Sequence, residues 1–298
     1  MEQIILYNHA KINLTLSILQ KKADGYHDIA SIMQPLTLSD TVICSKAEKT
    51  LLLVQGADLP LNNKNLAYQA WELMQREFAL TGGIQIKLLK NIPVAAGLAG
   101  GSGNAAAVLK AINELFHLRL PLPQLVYYGK QLGADVPFCL YEQTALAEGI
   151  GEKITVLPTL PDFDVVLVNP GFAVSTKEVY ETFDRYEQKP VLPQTQQMIR
   201  AIKEKDFVKI KQWIANMLEP VTLSLYPQLE MVKTDMARLG LLPFLCGSGP
   251  TFCGLAEDRR QAQQAVQILQ GKYPLVLQSQ FLSEGIKNGE NKRKTYNN

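Results

Sequence analysis

The segment 93–107 contains the residues best suited to chemistry. It reads Pro-Val-Ala-Ala-Gly-Leu-Ala-Gly-Gly-Ser-Gly-Asn-Ala-Ala-Ala, and an apolar pattern typical of a helix continues over 105–115. Glycine accepts positive φ and lets the backbone approach a ligand closely. The start of a helix adds unpaired N–H groups and the positive end of a dipole. Together these features predict an anion site, and a nucleoside triphosphate is the usual anion.

The same segment also fits a simpler role, a glycine-rich loop that leads into a core helix with Asn104 as its N-cap. Four glycines within seven residues exceed what a cap needs, which favours phosphate binding. The commoner phosphate motifs are excluded. The sequence has no P-loop and no Gly-x-Gly-x-x-Gly after a predicted strand. It also lacks the catalytic and metal-binding triplets of protein kinases. A nucleotide-binding loop of another class remains.

Two charged residues outside this loop could serve phosphoryl transfer, which needs positioning and charge neutralisation more than covalent work. Asp135 is a lone acid in the apolar turn 133–138, where a carboxylate could accept the proton of a substrate hydroxyl. Lys11 lies among apolar and small residues, and its ammonium could hold Asp135 ionised and neutralise phosphoryl charge. Each has a structural alternative, because Asp135 could end a helix and Lys11 could extend from a sheet edge.

Hydrophobic periodicity predicts the elements that position these residues. Before the glycine loop we expect an antiparallel meander, a helix and a further strand, over 11–19, 29–38, 41–45, 66–78 and 84–88. After it we expect helices over 123–132, 176–183, 199–217, 229–239 and 259–269, strands over 145–148, 154–157, 165–169 and 276–281, and a strand–turn–strand unit over 244–255. Strands and helices mix without regular βαβ alternation, so the predicted fold class is α+β.

Prolines in the segment 157–162 indicate a domain junction. We therefore predict an N-terminal domain over 1–158 and a C-terminal domain over 159–284. The remaining residues, 285–298, are polar and lysine-rich, which predicts a disordered tail.

Composition narrows the class of protein. A net charge of +2 gives no reason to expect nucleic acid or an anionic membrane as a partner, and no apolar run is long enough to span a membrane. The four cysteines have no metal-ligand spacing, so we interpret them as buried thiols in a reducing compartment. No signal peptide is recognisable. We expect a cytoplasmic protein that is a monomer or a weak homodimer.

Three motifs together resemble the GHMP small-molecule kinases, which include galactokinase, homoserine kinase and mevalonate kinase. They are Ala10-Lys-Ile-Asn-Leu14, the glycine loop 93–107 and Cys246-Gly-Ser-Gly-Pro-Thr251. The resemblance covers about residues 4–281. It implies a two-domain fold, with a ribosomal protein S5 domain 2-like N-terminal domain and a ferredoxin-like C-terminal domain. It also implies an ATP-dependent kinase that phosphorylates an alcohol and uses ATP with Mg²⁺.

Further segments resemble one branch of that family. They are Ala23-Asp-Gly-Tyr-His27, Gly133-Ala-Asp-Val-Pro-Phe138 and Ala147-Glu-Gly-Ile-Gly-Glu152. The branch phosphorylates the 2-hydroxyl of a cytidine diphosphate-linked methylerythritol in non-mevalonate isoprenoid precursor synthesis. The resemblance therefore implies this small molecule as the substrate.

The resemblance also implies roles for individual residues. Lys11 and Asp135 are implied as the catalytic pair, with Asp135 as the base. ATP is implied to bind at Pro93, Val94, Ala95, Ala96, Gly97, Leu98, Ala99, Gly100, Gly101, Ser102 and Gly103. The substrate is implied to bind at Asn13, Tyr26, His27, Tyr180, Gly247, Ser248 and Gly249, with Tyr180 as a stacking platform. No metal ligand is assigned.

Several positions depart from the commonest family pattern. Met33 stands where relatives have a stacking aromatic, and Ala99 where glycine is frequent, although we expect Ala99 to keep an allowed φ. Gly103-Asn104 replaces a pair that often ends in aspartate. His9 replaces a common proline, and the sequence suggests no function for it.

Two alternatives stay open. A GHMP kinase could act on another small alcohol, although the turn at 24–27 is typical of the cytidyl branch. A paralogue could bind nucleotide without catalysis, although Lys11 and Asp135 are both present.

Overall fold

The computed structural model of this chain describes residues 2–186 and 190–283. The strands are β1 (Gln3–Lys21), β2 (His27–Ala47), β3 (Leu51–Gln55), β4 (Gly83–Leu89), β5 (Ala145–Gly149), β6 (Lys153–Val156), β7 (Asp164–Asn169), β8 (Ala215–Asn216), β9 (Leu242–Leu245), β10 (Phe252–Leu255) and β11 (Leu275–Gln280). The helices are α1 (Leu66–Glu77), α2 (Gly100–Leu115), α3 (Leu122–Leu132), α4 (Val136–Tyr141), α5 (Thr176–Arg185), α6 (Thr195–Glu204), α7 (Phe207–Gln212), α8 (Glu219–Leu225), α9 (Leu229–Arg238) and α10 (Arg259–Leu269). The expected α+β class is confirmed.

The first sheet has the strand order β3-β4-β2-β1-β8, and β5 pairs with β2 and β6. Its long strands β1 and β2 are antiparallel, and Ile12 and Leu14 of β1 are fully buried. Helices α1 and α2 share a core with this sheet through Trp71 and Leu109. The backbone N–H of Lys11 donates to the carbonyl of Leu98 at 3.1 Å, so the lysine strand is bonded directly to the glycine loop.

The second sheet has the order β11-β7-β10-β9, and every neighbouring pair in it is antiparallel. Helices α9 and α10 pack on it around a core that includes Val166, Met236, Phe252 and Leu269. The short strand β8 pairs in parallel with β1, so a segment from the second half of the chain extends the first sheet.

Domain limits at 1–158 and 159–284 stay predictions. The predicted disordered tail, 285–298, lies outside the described residues. Among the described helices, none has the length and apolar character needed to span a membrane.

Several predicted elements differ from those observed, and the strand expected over 11–19 is the longer strand β1 (Gln3–Lys21). The strands expected over 29–38 and 41–45 are one strand, β2, because the polar break at Asp40 is satisfied by hydrogen bonds from a neighbouring segment. The helix expected over 199–217 is instead α6, α7 and β8, because Lys205 has φ 55° and ends α6. The helix expected over 105–115 begins at Gly100. Elements β3, α4 and α8 were not expected, since they are short and their patterns weak.

Candidate active site

Lys11 and Asp135 meet, as the sequence predicts. The distance from Lys11 Nζ to Asp135 Oδ2 is 3.7 Å, although one residue lies in β1 and the other in the turn before α4. The Lys11 side chain is 6% exposed and the Asp135 side chain 33%. The ammonium is thus held inside the protein while the carboxylate remains open to a ligand.

A short hydrogen-bond chain fixes the ammonium of Lys11. Its Nζ donates to Asn13 Oδ1 at 2.9 Å, and Asn13 Nδ2 donates to Ser31 Oγ at 2.8 Å. Ser31 Oγ then donates to the carbonyl of Thr15 at 2.7 Å. Lys11, Asn13 and Thr15 lie in β1, and Ser31 lies in β2. Both ends of the Asn13 amide therefore have partners inside the protein, and Asn13 orients Lys11.

A cavity of about 800 Å³ opens over this pair. Ser102 of α2 and Asp135 both line it, and Gly247 and Ser248 line it from the loop before β10. At its other end it is lined by Tyr26, His27, Tyr180 and Asp184, whereas Met33 lines it opposite Asn13 in the pairing of β2 with β1. The cavity is large enough for a nucleotide-sized ligand, since ligand pockets commonly measure about 300–1,000 Å³.

The glycine loop enters α2 through left-handed residues. Ala95, Gly97 and Ala99 have φ of 52°, 75° and 57°. The region is allowed for alanine but costs roughly 1 kcal/mol there, a strain that persists where the surrounding structure imposes it. Ala99 is the N-cap of α2, so the N–H groups of the first helical turn follow it directly and lack intrahelical acceptors. The loop thus has the form of an anion cradle.

Asn104 does not cap α2, contrary to the simpler alternative. It lies inside the helix, is 1% exposed, and donates to Asn8 Oδ1 at 2.6 Å and to Asp40 Oδ2 at 3.0 Å. Asp40 also forms a buried ion pair with Lys90. Because this polar group lies below the loop, Asn104 supports the loop from behind.

Only part of the glycine loop reaches the cavity. Gly97, Ala99 and Ser102 line it. Gly103 faces the other way, since a Cβ built on it would lie 2.4 Å from Asn8 Nδ2. Residues 93–96 do not line the cavity, and their predicted contact with ATP stays a prediction.

The third motif closes against the glycine loop. A Cβ on Gly97 would lie 2.4 Å from the carbonyl oxygen of Cys246, and a Cβ on Gly247 would lie 3.8 Å from Lys11 Nζ. Ser248 Oγ and Thr176 Oγ1 are 2.8 Å apart. Gly249 is buried against Leu245 and does not line the cavity. Glycine at 97 therefore lets the two loops approach each other, whereas glycine at 247 accommodates a left-handed φ of 59°.

An imidazole and a phenol lie together at the far end of the cavity. The ring centroids of His27 and Tyr180 are 5.1 Å apart. Tyr26 is 61% exposed at the rim, so its ring is free to meet a ligand. Burial, together with the charge of Asp135, raises the pKa of Tyr180, so this phenol stays neutral at physiological pH.

Asp184 organises this end of the cavity. His27 Nε2 donates to Asp184 Oδ1 at 2.7 Å, and Lys21 Nζ donates to Asp184 Oδ2 at 2.5 Å. Burial acts to raise the pKa of Asp184, but the bonds from Lys21 and His27 outweigh it and lower that pKa. Asp184 and Lys21 were not predicted from the sequence as site residues. Asp184 follows Tyr180 by four residues in α5, and that spacing predicts a shared helix face.

Among the residues that the structure describes, no group of three or more His, Cys, Asp or Glu side chains converges to hold a metal ion.

The chain matches the family model of the GHMP kinases N terminal domain over residues 65–143 and that of the GHMP kinases C terminal over 198–275. A 4-diphosphocytidyl-2-C-methyl-D-erythritol kinase of Lachnospira eligens is 42% identical over 275 residues, 91% of this chain and 95% of that protein. The enzyme of the same name from Acetivibrio thermocellus is 43% identical over 264 residues, 88% of this chain and 93% of that protein.

Solved structures agree with these relatives. A crystal structure of 4-(cytidine 5'-diphospho)-2C-methyl-D-erythritol kinase superposes with a TM-score of 0.78 at 33% identity, covering 93% of this chain and 98% of that one. A homoserine kinase from Cytophaga hutchinsonii superposes with a TM-score of 0.74 at 18% identity, covering 96% of each chain. The second likeness concerns the fold alone.

Proposed function

The chain belongs to the GHMP kinase family, and on that premise we propose that it phosphorylates the 2-hydroxyl of 4-diphosphocytidyl-2-C-methyl-D-erythritol with ATP. The observation that carries this proposal is the Lys11–Asp135 pair at 3.7 Å, which lies in a cavity lined both by the glycine loop and by the His27–Tyr180 pair. A phosphate cradle and an aromatic recognition site thus share one space with a carboxylate.

ATP supplies the phosphoryl group when it is bound. The glycine loop is suited to its phosphates, because the N–H groups in the first turn of α2 lack intrahelical acceptors and the helix dipole favours an anion. Ser102 and Asp135 both line the cavity. Both side chains offer the oxygen ligands that Mg²⁺ prefers, and Mg²⁺ usually keeps several waters and phosphate oxygens as its other ligands.

Asp135 accepts the proton of the 2-hydroxyl in this proposal. Its partly exposed carboxylate is the group of the pair that can reach a substrate. Lys11 pairs with that carboxylate at 3.7 Å and neutralises charge on the phosphoryl group as it moves. Asn13 positions Lys11 for both tasks through its 2.9 Å hydrogen bond.

The cytidine end of the substrate is proposed to occupy the far end of the cavity. Tyr26 and Tyr180 offer flat faces for the pyrimidine, and aromatic contacts of this kind contribute about 1 kcal/mol each. His27, held by Asp184, offers a nitrogen or a backbone group to the edge of the ring. Met33 lines the same cavity, so a thioether takes the place of an aromatic and can contact a ring favourably.

We place the enzyme in the cytoplasm as a monomer or weak homodimer, without a nucleic acid partner. The free, buried state of all four cysteines supports a reducing compartment.

The test is an acceptor screen with the purified protein and Mg²⁺-ATP. We expect release of one ADP per phosphorylated product with the cytidine diphosphate-linked methylerythritol, measured by coupled assay and mass spectrometry. Homoserine and mevalonate serve as control acceptors and should give at least a hundredfold lower kcat/KM, since a site that binds a pyrimidine edge leaves polar groups unpaired without it. Equal turnover of a control acceptor, or no stimulation by the cytidyl substrate, would contradict the proposal.

A further inference from the structure

Three elements carry the parts of the proposed active site. Lys11 lies in β1, the glycine loop leads into α2, and Asp135 is the N-cap of α4. The reaction depends on their relative positions, because an error of about 1 Å can cost a hundredfold in rate. Hydrogen bonds that join all three elements therefore matter for catalysis even where they lie outside the cavity.

The carboxylate of Glu142 makes such a junction. Glu142 is the C-cap of α4, and Asp135 caps the other end of this six-residue helix. Glu142 Oε1 accepts from His9 Nδ1 of β1 at 3.4 Å, and Glu142 Oε2 accepts from Lys110 Nζ of α2 at 3.0 Å. One oxygen thus bonds to the lysine strand and the other to the helix that follows the glycine loop.

The environment of Glu142 supports a fixed junction. The residue is 6% exposed, and burial acts to raise its pKa, but Lys110 and His9 outweigh burial and lower it. Its backbone φ is 50°, in the left-handed region where glycine is usual at a helix end. A non-glycine residue pays roughly 1 kcal/mol there, and such strain is concentrated at functional sites. The chain thus has a long acidic side chain at a position where the backbone conformation favours glycine.

The distance to the active site is short. A helix of six residues is about 9 Å long, which is less than two turns. Because so short a helix moves as one rigid unit, the position of Glu142 at one end fixes the position of Asp135 at the other. His9 precedes Lys11 by two residues in β1, next to an irregularity in the pairing of β1 with β2. The His9–Glu142 contact therefore runs beside the Lys11–Asp135 contact and joins the same two elements.

We infer that Glu142, with His9 and Lys110, is a positioning residue that sets the distances among Lys11, Asp135 and the glycine loop. The inference rests on the proposed kinase function. It also gives His9 a function that the sequence did not suggest.

The test measures kcat and KM separately for Glu142→Ala. Alanine removes both oxygens but keeps the Cβ, so the backbone cost at φ 50° is unchanged. We expect kcat to fall at least tenfold, while KM for ATP and for the acceptor changes less than about twofold, because the variant displaces reacting groups and leaves the binding contacts. His9→Asn keeps an N–H donor near the Nδ1 position and should keep kcat within about threefold, whereas His9→Leu should lose activity.

Arg200→Met is the matched control, since it removes an exposed ion pair with Glu204 in α6, a helix that contributes no residue to the cavity lining. It should leave kcat unchanged. Wild-type kcat in folded Glu142→Ala, or a rise in KM alone, would overturn the inference. If Glu142→Ala does not fold, His9→Leu and Lys110→Met are judged by the same criterion. The kcat and KM of each variant are compared with those of the wild type on whichever acceptor the wild type phosphorylates. A wrong substrate assignment is therefore distinguished from a wrong role for Glu142.

Discussion

At the scale of single residues, exposure distinguishes Lys11 from Asp135 in the roles proposed for them. The ammonium of Lys11 is buried and bonded to Asn13, whereas the carboxylate of Asp135 opens to the cavity. A buried cation with a fixed partner is preorganised to neutralise charge without rearranging solvent. An accessible carboxylate can take a proton from an incoming hydroxyl.

Replacing Asp135 by asparagine tests the proposed base. Asp135→Asn keeps the shape of the side chain but removes its charge and proton affinity, so kcat should fall by at least about a hundredfold. Binding of a non-hydrolysable ATP analogue, measured by calorimetry, should change only a few-fold. Asp162→Asn, at an exposed position away from the cavity, is the control and should behave as wild type. Unchanged turnover in Asp135→Asn would mean that another group is the base.

Replacing Asp184 tests recognition of the substrate. Asp184→Asn removes the charge that pairs with Lys21 and weakens the hold on His27 Nε2. We expect KM for the cytidyl substrate to rise about tenfold, equivalent to about 1.4 kcal/mol, with KM for ATP unchanged. Glu204→Gln, which alters an exposed pair, is the control. A rise in KM for ATP instead would place Asp184 at the wrong end of the cavity.

At the scale of elements, the close approach of two loops shapes the site. The glycine loop and the third motif come from distant parts of the chain, yet they touch through backbone atoms at Gly97 and Cys246. Contact of this kind leaves no room for a side chain. Glycine at 97 is thus required both by its φ of 75° and by its neighbour.

Two glycine-to-alanine variants distinguish the need for glycine at position 97 from the general effect of alanine on the stability of α2. Gly97→Ala places a Cβ 2.4 Å from the Cys246 carbonyl at a left-handed φ, so we expect a loss of roughly 2 kcal/mol in the free energy of unfolding and most of the activity. Gly101→Ala has its nearest contact at 3.8 Å and lies inside α2, where alanine is better than glycine by up to about 1 kcal/mol. Its stability should be equal or higher. Denaturant unfolding measures both, and equal stability of the two variants would refute the expected clash.

At the scale of the whole molecule, β8 and Glu142 join parts that are separate in sequence. Strand β8 adds the second half of the chain to the first sheet, and Glu142 joins β1, α2 and α4. Because the pKa of Glu142 is lowered in the folded protein, its ionised form stabilises the fold. That contribution is complete above the ordinary glutamate pKa of about 4.3 and is lost as pH falls through the lower folded value.

A pH series tests this linkage. Glu142→Gln mimics the protonated form, so the wild type should exceed it in unfolding midpoint near pH 7, and the difference should shrink as pH falls below about 4.3. Urea unfolding from pH 7 to pH 3 measures the midpoints. The buried thiol of Cys139 lies nearby, but burial raises its pKa, so it does not titrate in this range. Glu204→Gln should track the wild type throughout. A constant difference at all pH values would contradict the assigned cause.

Local patterns predicted much of the fold. Helix α10 was predicted with its observed bounds, and β7, α3 and α9 to within one residue, because their periodicity is regular. The prediction divided strand β2 because Asp40 interrupts its apolar pattern. The Asp40 carboxylate is satisfied by groups distant in sequence, which are the N–H groups of Asn91 and Ile92 and the side chains of Lys90 and Asn104. Motif resemblance predicted the family and the fold, which are confirmed. The assigned roles of the site residues stay predictions.

The sequence by itself determined the chemistry available to this protein, because glycine spacing, a lysine in an apolar strand and an aspartate in an apolar turn are properties of residue type and order. Only the tertiary structure decided which groups meet. It brought Asp184 to His27, turned Asn104 below the glycine loop and gave His9 a buried partner in Glu142. These contacts join residues far apart in the chain, and no local pattern encodes them, since they depend on how the packed elements lie against one another.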